Sequence, residues 1–71
     1  MITFENGTYR YFDRNGTELH EGDIVLWTAW YKLYRAEDGK LGIKIDEDRG
    51  IYTLCESDTD NLVLEFSVSN A

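Results

Sequence analysis

Turn-forming residues divide the sequence into short segments, and their spacing constrains the fold more than any other feature. Gly, Asn and Asp cluster at intervals of about 8–12 residues, separated by runs rich in Tyr, Trp, Ile, Val, Leu and Thr. This pattern is typical of an all-β sandwich or barrel. The turn signals lie at residues 6–7, 13–16, 21–23, 37–40, 48–50 and 58–61.

The segments between these turns predict five or six short strands. Residues 24–28 are apolar throughout, as in a strand that is covered on both faces. Residues 40–46 and 62–69 alternate in polarity, which predicts half-buried strands. Their inward positions are Leu41, Ile43, Ile45, Leu62, Leu64, Phe66 and Val68. The other predicted strands cover residues 8–12, 30–36 and 51–56.

One window leaves a helical alternative open. Aromatic residues at positions 27, 30, 31 and 34 have helical spacing, so residues 24–36 could form a helix. Their β-branched and aromatic content, and the Asp38-Gly39 turn that follows, favour strand instead. We therefore predict a single all-β domain over residues 1–71. A small SH3-like barrel of antiparallel strands is the most economical closed form, because closure removes exposed strand edges.

The stretch from residue 13 to residue 27 is the most patterned part of the chain. Asn15-Gly16 predicts a turn, because Asn and Gly readily adopt positive φ angles. Gly22 would provide backbone freedom at a bend. Asp23 would accept a hydrogen bond from a nearby backbone N–H. These roles are mechanical, and they introduce the strand that begins at Ile24.

Two resemblances to known families follow from these motifs. Residues 16–25, which end in Gly-Asp-Ile-Val, resemble a segment of YopX-like phage and prophage proteins. That resemblance implies an SH3-like β-barrel and an origin in a mobile element. Most of the chain is similar in its order of features to small Firmicutes proteins with domains of unknown function, which implies a fold and an origin but no activity. The matching features are Gly7-Thr8-Tyr9, residues 16–19, Gly22-Asp23, Trp30, residues 37–39 and residues 51–54.

The inventory of reactive residues argues against an enzyme. The chain has one Cys and one His, so neither an internal disulfide nor a Cys/His zinc cluster can form. Ser57 and His20 lack the motif of a catalytic triad, and Cys55 fits a small hydrophobic role in a strand. The acidic runs lack the spacing of a calcium loop, and no phosphate-binding motif occurs. We expect no catalytic residue, metal or other cofactor.

The distribution of charge indicates which partners the protein can bind. The net charge is −7. Residues 1–35 carry five acids and four bases, or −1, and residues 36–71 carry nine acids and three bases, or −6. Such a surface repels a phosphate backbone and attracts basic partners, although solubility alone would also explain the negative charge.

The N-terminal segment lacks a signal peptide's apolar region, so we expect a cytoplasmic protein without membrane association.

The aromatic residues suggest an interaction surface. Five Tyr and two Trp exceed what so small a core can hold wholly inside, although an aromatic core whose edges reach water would also account for them. Exposed aromatic patches mark interfaces, so we predict a non-enzymatic module that binds a protein partner or itself. The predicted contact residues are Trp30, Tyr34 and Tyr31, with Asp46, Glu47 and Asp48 as an acidic rim.

Two alternatives stay open for this surface. Aromatic residues beside Arg10, Lys32 and Arg35 could stack the bases of a single-stranded nucleic acid, although the net charge disfavours it. The acidic surface could instead mimic a nucleic acid and occupy a DNA-binding protein.

Overall fold

The computed structural model describes residues 1–46 and 48–68, and its regular structure is mostly β-strand. Glu47 and residues 69–71 lie outside this description. The strands are β1 (Ile2–Glu5), β2 (Thr8–Phe12), β3 (Glu18–Leu19), β4 (Ile24–Leu26), β5 (Trp30–Lys32), β6 (Tyr34–Arg35), β7 (Leu41–Ile43), β8 (Tyr52–Thr53) and β9 (Val63–Phe66), with a one-turn helix α1 (Glu56–Thr59) between the last two.

The described strands form three antiparallel sheets of three strands each. Their orders are β1-β2-β3, β5-β4-β9 and β6-β7-β8. The predicted all-β class is confirmed. Over residues 1–46 and 48–68 the sheets remain separate ladders and do not close into a hydrogen-bonded barrel.

Turn chemistry explains the hairpins. Asn6 and Gly7 both have positive φ, at 53° and 78°, which suits the tight turn between β1 and β2. The turn predicted at residues 37–40 joins β6 to β7 as a hairpin. The β4–β5 hairpin was not predicted, because its loop, Trp27-Thr28-Ala29, contains none of the usual turn residues.

Several predicted strands are shorter than their pattern suggested. Strand 30–36 divides at Leu33 into β5 and β6, which belong to different sheets. The helical alternative for residues 24–36 is wrong. Strand 51–56 ends at Thr53, because a carboxylate of Asp58 accepts a hydrogen bond from the N–H of Cys55 and starts a helical turn there.

The core draws side chains from all three sheets. Its fully buried members are Tyr11, Leu19, Val25, Leu33, Leu41, Ile43, Leu54 and Leu62. The inward prediction holds for Leu41, Ile43 and Leu62. It is wrong for Ile45, Phe66 and Val68, which are exposed since the regular strands end or bulge before the alternation does.

Two buried aspartates hold β9 in place. Oδ1 of Asp13 accepts the N–H groups of Asn15 and Thr17, and its Oδ2 accepts the N–H of Leu64, each at 2.9 Å. The carboxylate of Asp13 thus shapes a local turn and also fixes the C-terminal strand β9.

Asp23 repeats this arrangement at the other end of β9. Its Oδ2 accepts the N–H of His20, and its Oδ1 accepts that of Val68, both at 2.9 Å. The predicted bond from Asp23 to nearby backbone is therefore confirmed. Gly22, which precedes it, has a φ of 92°, as the predicted bend requires.

We expect Asp13→Ala to lower the free energy of unfolding by about 3 kcal/mol, because three N–H donors lose a charged acceptor in a buried position. Urea denaturation followed by circular dichroism would measure the loss. Asp38→Ala is the matched control: it removes the same charge from an exposed turn where the carboxylate accepts one N–H, that of Lys40. We expect about 1 kcal/mol or less for this control. Equal losses in the two variants would contradict the anchoring role.

Candidate functional site

The β5-β4-β9 sheet has one face in the core and one face outward. Val25 in the central strand is fully buried, and its direct neighbours across the sheet are Tyr31 and Leu64. Both neighbours pack against the core. Because side chains alternate along a strand, the positions before and after Val25 point away from the core.

The outward positions form an apolar surface, which we call the sheet face. Leu26 lies between Trp30 and Val63 in one row. In the next row, Ile24 lies opposite Phe66. Trp30 and Phe66 are 64% and 66% exposed, and the other three are partly buried. The sheet face is therefore a continuous set of Ile24, Leu26, Trp30, Val63 and Phe66.

Two charges lie beside this surface, and a β-bulge places one of them. The register between β4 and β9 shifts between Ile24 and Val25, which leaves Glu65 as an extra residue next to Phe66. Lys32 lies opposite Ile24 on the other edge strand. Among the residues that the structure describes, neither Lys32 nor Glu65 has an ion-pair partner.

The predicted contact residues separate in the structure. Trp30 lies on the sheet face, whereas Tyr31 points inward and meets the ring of Trp27 edge-on at 6.4 Å. Tyr34 belongs to the β6-β7-β8 sheet, opposite Gly42. The strand predicted over residues 30–36 would place Trp30 and Tyr34 on one face by alternation, and this is wrong because the chain changes sheets at Leu33.

Tyr34 lies between two lysines. The Nζ atoms of Lys44 and Lys32 are 4.8 Å and 5.9 Å from the centre of its ring. These distances suit cation–π attraction. The ring is half-buried, so it offers less free aromatic surface than Trp30 does.

The predicted acidic rim lies in the loop after β7. Asp46 and Asp48 are exposed, and Glu47 lies outside the described residues. Asp46 accepts the N–H of Asp48 at 3.1 Å and is 3.8 Å from Nε of Arg49. The carboxylate of Asp46 therefore shapes its own loop as well as contributing charge.

An open pocket of about 340 Å³ lies next to this loop. Its lining residues are Ile45, Arg49, Gly50, Ile51 and Tyr52. Gly42 lies beneath them, and a Cβ there would collide with the side chain of Ile51 and the carbonyl of Tyr52. The glycine thus permits the close approach of the pocket wall to β7.

A buried carboxylate organises the turn after β8. Oδ2 of Asp58 accepts the hydroxyl of Tyr52 at 2.7 Å, and the N–H and thiol of Cys55 at 3.0 Å and 3.2 Å. Burial raises the pKa of Asp58, but these hydrogen bonds outweigh it and hold the pKa below its ordinary value. The bond to Asp58, together with desolvation, raises the pKa of Tyr52 to about 12.

The other reactive side chains, those of His20, Ser57 and Cys55, make local contacts. Nε2 of His20 lies 3.9 Å from a carboxylate oxygen of Glu18, and its Nδ1 lies 3.8 Å from a carboxylate oxygen of Asp23. The hydroxyl of Ser57 is 3.1 Å from the sulfur of Cys55 instead. Cys55 is exposed at the start of α1, so the expectation that it packs as a hydrophobic strand residue is wrong. Within residues 1–46 and 48–68, no cluster of His, Cys, Asp and Glu could hold a metal ion.

The described helix is also far from spanning a bilayer, and no candidate membrane-spanning helix was found in the described part of the chain. The comparisons with known proteins found no matching family model, no matching curated protein and no matching solved structure.

Most residues of the sheet face were missed at the sequence level. The alternation of residues 62–69 predicts Phe66 in the core, because the bulge that turns it outward has no signal in the sequence. The unbroken apolar run at residues 24–27 did carry a signal, since it predicts cover on both faces of β4. The core covers the Val25 side, and Trp30 and Phe66 leave the other side partly open.

We expect Tyr52→Phe to raise the pKa of Asp58 towards its ordinary value of 3.8, because one hydrogen bond to the carboxylate is lost. The shift can be read from the carboxyl ¹³C chemical shift during an acid titration. Tyr9→Phe is the control, since its hydroxyl makes no hydrogen bond among the described residues. An unchanged pKa of Asp58 in Tyr52→Phe would contradict this arrangement.

The same pair predicts how stability depends on pH. The pKa of Asp58 is lower in the folded state, so its contribution is present above about pH 3.8 and is lost as pH falls through the folded pKa. The pKa of Tyr52 is raised, so its contribution is present below its ordinary value of 10.0 and is lost as pH rises through about 12. Tyr52→Phe should weaken both dependences.

Proposed function

We propose that this protein is a non-enzymatic protein-interaction module whose contact surface is the sheet face. One observation carries the proposal: Trp30 and Phe66 lie mostly exposed in adjacent rows of an otherwise apolar sheet surface. Tryptophan and phenylalanine are enriched in protein interfaces, and contiguous exposed apolar patches mark such sites.

The composition of β4 supports the same conclusion. An apolar strand is stable when both of its faces are shielded from water. In this protein the core shields Val25, while Ile24 and Leu26 are shielded only in part. A partner on the sheet face would supply the missing cover.

Charge and hydrogen bonding favour a protein partner over a single-stranded nucleic acid. Arg10 donates two hydrogen bonds to Glu18, at 2.9 Å and 3.0 Å, and Arg35 donates to the carbonyl of Gly39. Two of the three cations that could have held phosphates are thus already engaged. The net charge of −7 adds general repulsion of a phosphate backbone.

The proposal includes a fold relationship and an origin. Leu33 continues the path of β5 by exchanging backbone hydrogen bonds with Gly22 and Asp23, and β6 then pairs with β7. A strand that passes from one sheet to the next forms a corner, as in small orthogonal barrels. This supports an open SH3-like barrel. The resemblance of residues 16–25 to YopX-like proteins supports a phage or mobile-element origin. The single cysteine fits a reducing, cytoplasmic location.

We expect Trp30→Ala to abolish capture of a protein partner, or self-association, while the fold is retained because Trp30 is 64% exposed. Affinity capture from a host lysate with mass spectrometry, together with solution mass, measures both. Phe4→Ala is the matched control, since Phe4 is 60% exposed but lies in the β1-β2-β3 sheet. If Trp30→Ala leaves both measurements unchanged, the sheet face is not the contact surface.

A further inference from the structure

We propose that the sheet face binds a second copy of this chain, with two β5-β4-β9 sheets packed face to face about a two-fold axis parallel to β4. This inference rests on the interaction function proposed above and specifies its partner. Face-to-face packing of aligned sheets is a common way to bury two apolar sheet surfaces.

The strand order determines what such an axis brings together. β4 is central, and β5 and β9 are the two edge strands. A rotation of 180° about an axis along β4 places β5 over β9 of the second copy and leaves each residue at its own height along the strands. The row that contains Leu26 therefore meets the same row in reversed order.

The side chains in each row have complementary sizes under this rotation. In the first row, the large ring of Trp30 meets the small side chain of Val63 from the second copy, and Leu26 meets its own equivalent. In the second row, Phe66 meets the flexible stem of Lys32. A bulky residue thus lies over a smaller or more adaptable one at both edges, which suits interdigitated packing between two sheets.

The charges of Lys32 and Glu65 are complementary under the same rotation. Lys32 lies on the β5 edge in the Ile24 row, and Glu65 lies beside Phe66 on the β9 edge of that row. The axis therefore brings Lys32 of each copy to Glu65 of the other, twice per dimer. Isologous interfaces repeat each contact in this way. Neither residue has an ion-pair partner among the described residues of its own chain.

The distribution of the remaining charge favours this surface for self-association. The strands β4, β5 and β9 contain one base, Lys32, and one acid, Glu65, so their formal charge is zero. The rest of the chain carries the net charge of −7. Two copies that approach through this sheet bring together its least repulsive strands.

The decisive experiment is a charge exchange. We expect Lys32→Glu alone to place Glu against Glu65, and Glu65→Lys alone to place Lys against Lys32, so each variant should dimerise at least about tenfold more weakly than the original protein. An equimolar mixture of the two variants restores opposite charges at both contacts. We therefore expect the mixture to form a heterodimer. Sedimentation equilibrium and native mass spectrometry measure the masses and the pairing.

Two controls and a second measurement accompany this test. Glu37→Lys makes the same charge change at an exposed turn outside the sheet and should leave dimerisation unchanged. Trp30→Ala should prevent it. Carbodiimide treatment of the unmodified protein should yield a covalent dimer whose cross-linked peptide joins Lys32 to Glu65, and this needs no variant to fold.

Each contrary outcome overturns a stated part. A protein that stays monomeric at about 100 μM, where a dimer with a Kd of about 1 μM would be almost fully formed, overturns self-association. The proposed function then survives only if Trp30→Ala still abolishes capture of another protein. A dimer that Trp30→Ala leaves intact overturns the inference, and the sheet face is overturned with it if capture of another protein is also unchanged. A dimer that requires Trp30 but shows no recovery in the mixed variants overturns the two-fold arrangement.

Discussion

The fold depends on two buried carboxylates that bind a distant strand. Asp13 and Asp23 lie in the two turns that precede β3 and β4, and their oxygens accept backbone N–H groups at Leu64 and Val68. These bonds span 51 and 45 residues of sequence. A charged acceptor shared between a turn and a strand makes both more rigid, because neither can move without leaving a buried ion without its donors.

This anchoring is what creates the sheet face. β9 completes the three-stranded sheet only if it stays beside β4, and the carboxylate of Asp13 holds the edge of β9 that faces away from β4. The bulge at Glu65 then turns Phe66 outward, next to the row of Trp30. The contacts that hold β9 in the fold therefore also form the sheet face. No other part of the described chain fully covers this apolar surface.

Local chemistry was predictable, whereas the assignment of side chains to faces was less so. The turns predicted at residues 13–16 and 37–40 identified two hairpins, β2–β3 and β6–β7, because Asn, Asp and Gly readily adopt the backbone angles of such turns. The role of Asp23 followed from the same reasoning. The division of strand 30–36 was not predictable, since Leu33 belongs equally well to either sheet by pattern and its pairing with Gly22 and Asp23 is a tertiary contact.

The candidate surface shows the same limit. Trp30 could be chosen from the excess of aromatic residues, but Phe66 could not, because a bulge is a property of the paired strands rather than of one segment. Tyr34 was grouped with Trp30 by simple alternation, and the change of sheet separated them. Cys55 followed a strand pattern until a single carboxylate, that of Asp58, started a helical turn at its N–H.

The long sequence separation of the Asp13–Leu64 bond has a consequence during synthesis. β4 and β5 leave the ribosome well before β9, so the apolar run at residues 24–28 first exists as a hairpin with one open edge and no anchored neighbour. Contacts between residues so far apart in sequence form slowly. Unpaired apolar strand edges are sites of aggregation. The nascent chain therefore passes through a stage in which β4 is its segment most prone to aggregation. This stage ends when β9 pairs with β4.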